Sequence, residues 1–142
     1  MAPGAKATVN PVLVGAYDPQ RDPAKDVQAA IALAQSENKR ILIEIGGDWC
    51  VWCHRMDAFI DGHADLLQLR NTNYILVKVN FSPEQENETF FSQYPPVPAY
   101  PHIFILESDG QFLYSQDTSE LEAGDSYNLK KFTAFLRKWA KP

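Results

Sequence analysis

The run Ile41-Leu42-Ile43-Glu44-Ile45 leads through Gly46-Gly47 straight into Asp48-Trp49-Cys50-Val51-Trp52-Cys53-His54. Apolar β-formers bounded by Lys39-Arg40 on one side and two glycines on the other read as a buried strand over residues 40–46. A helix follows from near Cys50, with Met56, Phe59 and Ile60 on one side. Both cysteines of the chain sit where that strand hands over to that helix. A thiol pair at such a junction is close enough to bond and easy to separate again.

The rest of the chain supplies partners for this unit. Residues 1–20 carry Pro3, Gly4, Pro11, Gly15 and Pro19 and read as a flexible N-terminal arm, in which only Val12-Leu13-Val14 offers a short strand. Asp22-Pro23 is a helix start, with Asp as cap and Pro in the first turn. That helix should run to about Asn38, with Val27, Ala30, Ile31 and Ala34 on its apolar face. Asp61-Gly62 interrupts the second helix, and residues 63–70 form another helical piece. Residues 74–80 read as a second strand and residues 84–94 as a short helix. Pro95, Pro96, Pro98 and Pro101 impose a stiff loop. A third strand over 102–106 then turns at Ser108-Asp109-Gly110 into a fourth over 111–115. Residues 116–126 read as polar loop, and a last helix starts near Asn128 with Phe132, Phe135, Leu136 and Trp139 inward. Strands joined through a helix lie parallel, and the closing pair is antiparallel. The expected fold is therefore α/β: one domain over 21–142 with a mixed central β-sheet flanked by helices on both faces.

Composition excludes several functions. A formal net charge of −5 argues against nucleic-acid binding. No apolar run approaches the ~18 residues of a membrane span, and residues 1–6 lack a signal-peptide core. Two cysteines make no disulfide framework. A structural zinc site wants four ligands, and His54, His63 and His102 are not spaced to complete one, so neither metal nor cofactor is expected. Glu84, Glu86 and Glu88, and the basic residues of the last helix, read as solvated faces.

The chemistry follows from the thiolate. Cys50 at a helix start meets free N–H groups and the positive helix end, which favour the anion. It is expected to be the exposed, attacking thiol. Cys53, one turn deeper, is expected to resolve the mixed disulfide. Glu44 is a carboxylate in an apolar strand; burial raises such a pKa and suits it to relay the proton of Cys53, unless the side chain simply reaches solvent. Trp52 is expected on the rim, touching substrate or merely packing. His54 either stabilises a thiolate or is a helix-surface histidine.

These residues resemble the active-site strand and helix of the thioredoxin superfamily, whose members carry an acidic residue six places before the first cysteine and commonly Trp just before it. Glu44 and Trp49 stand at those positions. The resemblance covers roughly residues 22–142. It implies a cis-proline opening the next strand; Tyr100-Pro101-His102 matches, with Pro101 the cis candidate and the Tyr100 backbone pairing with an extended substrate. Asp-Trp-Cys-x-x-Cys after a long helix is similar to bacterial thioredoxin-like disulfide isomerases and to the periplasmic C-terminal domain of DsbD. Val51-Trp52 replaces the Gly-Pro of thioredoxin and supplies no cation. The resemblance implies a thiol–disulfide oxidoreductase acting on protein disulfides as reductase or isomerase, with Cys50, Cys53 and Glu44 catalytic. Trp49, Val51, Trp52, Tyr100 and Pro101 would face substrate. A reducing thiol–disulfide partner protein, a monomeric state and a periplasmic or other extracytoplasmic location are expected, with the cytoplasm as the other possibility. The reading of a different class is a redox-regulated binding or chaperone module with little turnover.

Overall fold

A computed structural model describes residues 10–142. Its main sheet has five strands in the order β1-β3-β2-β4-β5. They are β1 (Val12–Val14), β2 (Arg40–Gly46), β3 (Tyr74–Asn80), β4 (His102–Leu106) and β5 (Phe112–Asp117). β3 runs parallel to both β1 and β2, while β2–β4 and β4–β5 are antiparallel. The mixed sheet expected from the chain order is the one found.

Alternation along β2 sorts its side chains to two faces. Ile41, Ile43 and Ile45 join Ile75, Val77, Val79 and Phe104 in one core, closed by Val27, Ala30 and Ala34 of α1 (Pro23–Glu37) and by Phe90 of α4 (Glu88–Phe91). Leu42 joins Leu76, Ile103 and Ile105 in the other. That face is closed by Met56 and Ile60 of α2 (Val51–Asp61), Leu66 of α3 (Ala64–Asn73) and Phe132, Phe135 and Leu136 of α5 (Leu129–Trp139). Glu44 shares the parity of Leu42 and so points to the α2 side of the sheet.

The helix starts carry their caps. The side chains of Asp22 and Asn128 accept from Ala24 and Lys131 backbone N–H groups at 3.0 and 2.9 Å.

Three expectations need correction. The arm over 1–20 lies partly outside the described residues, and from Val12 onward the segment belongs to the domain. β1 adds to the sheet edge beside β3, and Tyr17 is buried. The helix over 84–94 shrinks to Glu88–Phe91. Ser82 and Gln85 close a tight bridged turn, and Asn87 adopts φ 54°, so the chain is not helical before residue 88. The polar loop over 116–126 is structured: β5 continues to Asp117, a 3₁₀ turn spans Thr118–Leu121, and Glu122–Ala123 (β6) pairs with Ser126–Tyr127 (β7). Leu121 and Tyr127 tie this hairpin into the α2 face.

Candidate active site

Cys50 is the N-cap of α2, with φ −93° and ψ 109°. Its Sγ accepts the backbone N–H of Cys53 at 3.1 Å. The first turn of a helix has N–H groups with no carbonyl partner, so a thiolate at this position finds a donor ready-made. The two cysteines are joined as a disulfide with their Cα atoms 5.2 Å apart.

Cys50 is less open than expected. Its exposure is 4%, against none for Cys53, so the order of the two holds but Cys50 is not freely exposed. The exposed surface at the site belongs to its neighbours, Trp49 at 52% and Val51 at 61%. Trp49 is fixed nonetheless: its indole N–H donates to the Phe81 carbonyl at 2.7 Å. Trp52 is half-buried rather than exposed. Its ring sits edge-on to Tyr127 at 5.6 Å, with the Arg55 guanidinium over it at 4.7 Å. His54 is exposed, and its Nε2 lies 2.6 Å from the Asp48 carbonyl oxygen.

A buried polar group lies on the α2 side of the sheet. Glu44 is almost fully buried. It accepts a hydrogen bond from the Tyr17 hydroxyl, and Lys78 Nζ stands 3.8 Å away. Lys78 in turn pairs with Asp57 of α2 at 2.7 Å. Register explains the pair, because Glu44 on β2 is directly opposite Lys78 on β3. Burial pushes the Glu44 carboxyl up to about 7, with the Asp57 charge adding to the rise and Lys78 and Tyr17 opposing it. A carboxyl that titrates near neutrality, bonded to a hydroxyl packed in one buried cluster with both cysteines, is equipped to take and return a proton.

The Tyr100–Pro101 peptide bond is cis. The buried Thr118 hydroxyl donates to the Pro101 carbonyl, so the segment expected to be mere loop anchors this corner. Tyr100 stacks on Phe81, rings 4.7 Å apart and 12° from parallel, and meets Trp49 edge-on at 5.6 Å. Trp49, Phe81, Pro83 and Glu86 line an apolar groove of about 530 Å³ against this aromatic shelf.

The structure thus brings Cys50 and Cys53 into one buried cluster with Tyr17, links Glu44 to that cluster through the Tyr17 hydroxyl, and sets Trp49 edge-on to Tyr100 beside it. Sequence reasoning missed Tyr17, Lys78, Asp57, Phe81 and Thr118. Lys78 had a signal, a lone charge in the run Ile75-Leu76-Val77-Lys78-Val79. Asp57 lies one helical turn beyond Cys53 and had a weaker one. Tyr17 had none. Among the described residues no group of histidines, cysteines and carboxylates is placed to hold a metal ion. His63 and His102 are bound elsewhere, to the Phe59 carbonyl and to Ser115 Oγ.

A thioredoxin-type sheet that carries a Cys-x-x-Cys disulfide at a helix start, over a buried carboxyl, defines a thiol–disulfide oxidoreductase. The chain belongs to the thioredoxin-like family, whose model matches residues 22–108. It is similar to the thiol:disulfide interchange protein DsbD of a Pseudomonas species, 26% identical over 139 residues, covering 97% of this chain and 22% of that protein. The corresponding Klebsiella pneumoniae protein is 25% identical over 109 residues, covering 76% of this chain and 17% of that one. The chain therefore spans only about a fifth of the length of these relatives. Among solved structures, a disulphide isomerase from Xylella fastidiosa superposes with a TM-score of 0.72 at 22% identity, over 89% of this chain and 98% of that one. The oxidised C-terminal domain of Neisseria meningitidis DsbD superposes with a TM-score of 0.63 at 17% identity, over 88% and 99%. At these identities the two structures show a shared fold. No helix among the described residues is long and apolar enough to cross a membrane.

Proposed function

We propose that this chain reduces or isomerises disulfides in protein substrates, with Cys50 as nucleophile and Cys53 as resolving thiol. The observation that carries the reading is the Cys50–Cys53 disulfide at the N-terminus of α2, with Cys50 Sγ accepting the Cys53 N–H. In the reduced protein that N–H stabilises the Cys50 thiolate. The thiolate attacks a substrate disulfide, one substrate sulfur leaves as thiolate, and a mixed disulfide forms. Cys53 then gives up its proton, attacks Cys50 Sγ, and the second substrate sulfur departs. Glu44 is the acceptor for that proton. An electron pair moves from the dithiol to the substrate, so a reducing thiol–disulfide partner must restore Cys50 and Cys53.

The aromatic shelf of Trp49 and Tyr100 supports the role of substrate contact, with Val51 an exposed apolar residue next to the nucleophile. Pro101 and the Tyr100 backbone would receive an extended substrate segment. Trp52, packed between Tyr127 and Arg55, reaches substrate only by its free edge. The likeness to DsbD, a thiol:disulfide interchange protein, supports an extracytoplasmic place of work with an electron-donating partner.

The test is reduction of insulin disulfides by dithiothreitol with and without the protein. Catalysed precipitation is expected, abolished in Cys50→Ser, while Cys53→Ser accumulates a mixed disulfide. Absence of turnover in the unsubstituted protein would turn the reading toward a binding module. A potential near about −270 mV would assign the reductase direction, and one toward about −180 mV the isomerase direction.

A further inference from the structure

We propose that the Tyr17 hydroxyl is the proton conduit between Cys53 and Glu44 in the resolving step. The proposal rests on the thiol-exchange reading above and adds a residue to it. Tyr17 belongs to the segment between β1 and α1, far in sequence from the dithiol, yet it forms one buried cluster with Cys50 and Cys53. Its hydroxyl donates to Glu44. Among the described residues Glu44 is bonded to Tyr17, stands 3.8 Å from Lys78 and has the Asp57 carboxyl as a neighbour, and it makes no hydrogen bond to either cysteine. Gly46 shows how close the hydroxyl and the sulfur lie. A Cβ at that position would stand 3.0 Å from the Tyr17 hydroxyl and closer still to Cys53 Sγ. The bare glycine leaves both groups bordering the same small space, within one buried cluster.

Packing alone would be served by phenylalanine, and burying a hydroxyl is costly unless it is bonded. The Tyr17 hydroxyl spends its one proton on Glu44 and keeps lone pairs to accept another. In the resolving step the Cys53 thiol passes its proton to Tyr17 Oη while the Tyr17 proton moves to Glu44. The phenol ends neutral, as it began, and Glu44 ends as the acid. The Cys53 electron pair forms the bond to Cys50 Sγ, and the Cys50–substrate bond breaks to release a thiolate. Burial, with the Glu44 charge beside it, holds the phenol well above the ordinary tyrosine range, so it transmits a proton without standing ionised. The charged or titratable groups around the pair are Lys78 on β3, whose Nζ lies 5.1 Å from the Tyr17 ring centre, Asp57 on α2, Arg70 on α3 and Tyr127 on β7.

The experiment follows the reduced protein reacting with dithiobis-nitrobenzoate by stopped flow. Attack by Cys50 releases the first coloured thiolate and attack by Cys53 the second. In Tyr17→Phe the second phase should slow at least ~10-fold on its plateau above the Glu44 titration and below pH ~8.5, where thiols ionise unaided. The first phase should be unchanged. Glu44→Gln should slow the second phase similarly, and the double variant no further. Removing a hydrogen bond that merely tunes Glu44 would instead move the midpoint upward and leave the plateau intact, which would overturn the proposal. So would an equal slowing of both phases, or a Glu44→Gln effect of the same size with and without the hydroxyl. Failure of the unsubstituted protein to show any second phase would overturn the exchange reading itself.

Discussion

The Glu44 carboxyl, at about 7 in the folded chain against an ordinary 4.5, ties stability to pH. Between those values the folded chain holds a proton that the unfolded chain has released, so stability falls as pH rises through that window and is flat above it. The group alone should cost on the order of 3 kcal/mol between about pH 4 and about pH 8. Urea denaturation of the unsubstituted protein and of Glu44→Gln should show this loss in the difference between their stability–pH curves, where the opposing titrations of His102, Glu107 and Asp117 cancel. Neighbours should move the titration in opposite directions. Lys78→Met removes a cation 3.8 Å away and should raise the Glu44 midpoint. Asp57→Asn removes a repelling charge and frees Lys78, and should lower it. Carboxyl chemical shifts followed against pH read both. Cys50, Cys53 and Glu44 were legible in the sequence because spacing and a lone charge in an apolar strand are local facts. Tyr17 was not, because only tertiary folding carries a residue between two glycine- and proline-marked turns onto β2.

At the scale of elements, β2, β3 and β4 stand in the structure with the bounds read from their sequences, because each is a short run of β-forming apolar residues buried on both faces and bounded by polar residues or a glycine. The segment from Gln116 to Tyr127 hid its structure for the opposite reason. Its polar residues face water along a short hairpin, and only Thr118, Leu121 and Tyr127 turn inward with Gln116. Those few contacts matter to the site. Tyr127 meets Trp52, Phe59 and Phe132 ring to ring, and its hydroxyl reaches the Trp52 carbonyl at 3.4 Å. The hairpin thereby braces the first turn of α2. Tyr127→Ala should destabilise the protein by ~3–5 kcal/mol, as large aromatic truncations in cores do. Tyr127→Phe should cost only ~1 kcal/mol. Paired chemical denaturation curves check both, and comparable losses would mean that the hydroxyl rather than the ring holds the helix.

Across the whole molecule, charge and shape meet at the face that carries Cys50. The grooves bordering Trp49 and Phe81 are lined by Asp48, Glu84, Glu86 and Glu88, and by no lysine or arginine. The residues that sequence alone assigns to a solvated acidic face are exposed as expected, yet Glu86 lines the apolar groove at Trp49 and Phe81, and Glu84 and Glu88 line the grooves adjoining it. An apolar floor with an acidic rim favours a substrate segment that pairs an aromatic or aliphatic side chain with a basic neighbour. The net charge of −5 points the same way at long range. Disulfide-linked peptides of equal length, one with a lysine beside an apolar residue and one with a glutamate there, should separate in kcat/KM. The basic peptide should react about ten times faster at low salt, and the advantage should shrink toward ~1 M salt, where charges more than ~3 Å apart are screened. Reversing Glu84 and Glu86 to lysine should invert the preference without altering the rate at saturating peptide, because these carboxylates lie outside the proton path of Cys53. Phe81→Ala should weaken both peptides alike by removing the floor they share. A preference that survives high salt would place discrimination in the fit of the groove and take it away from the acidic rim.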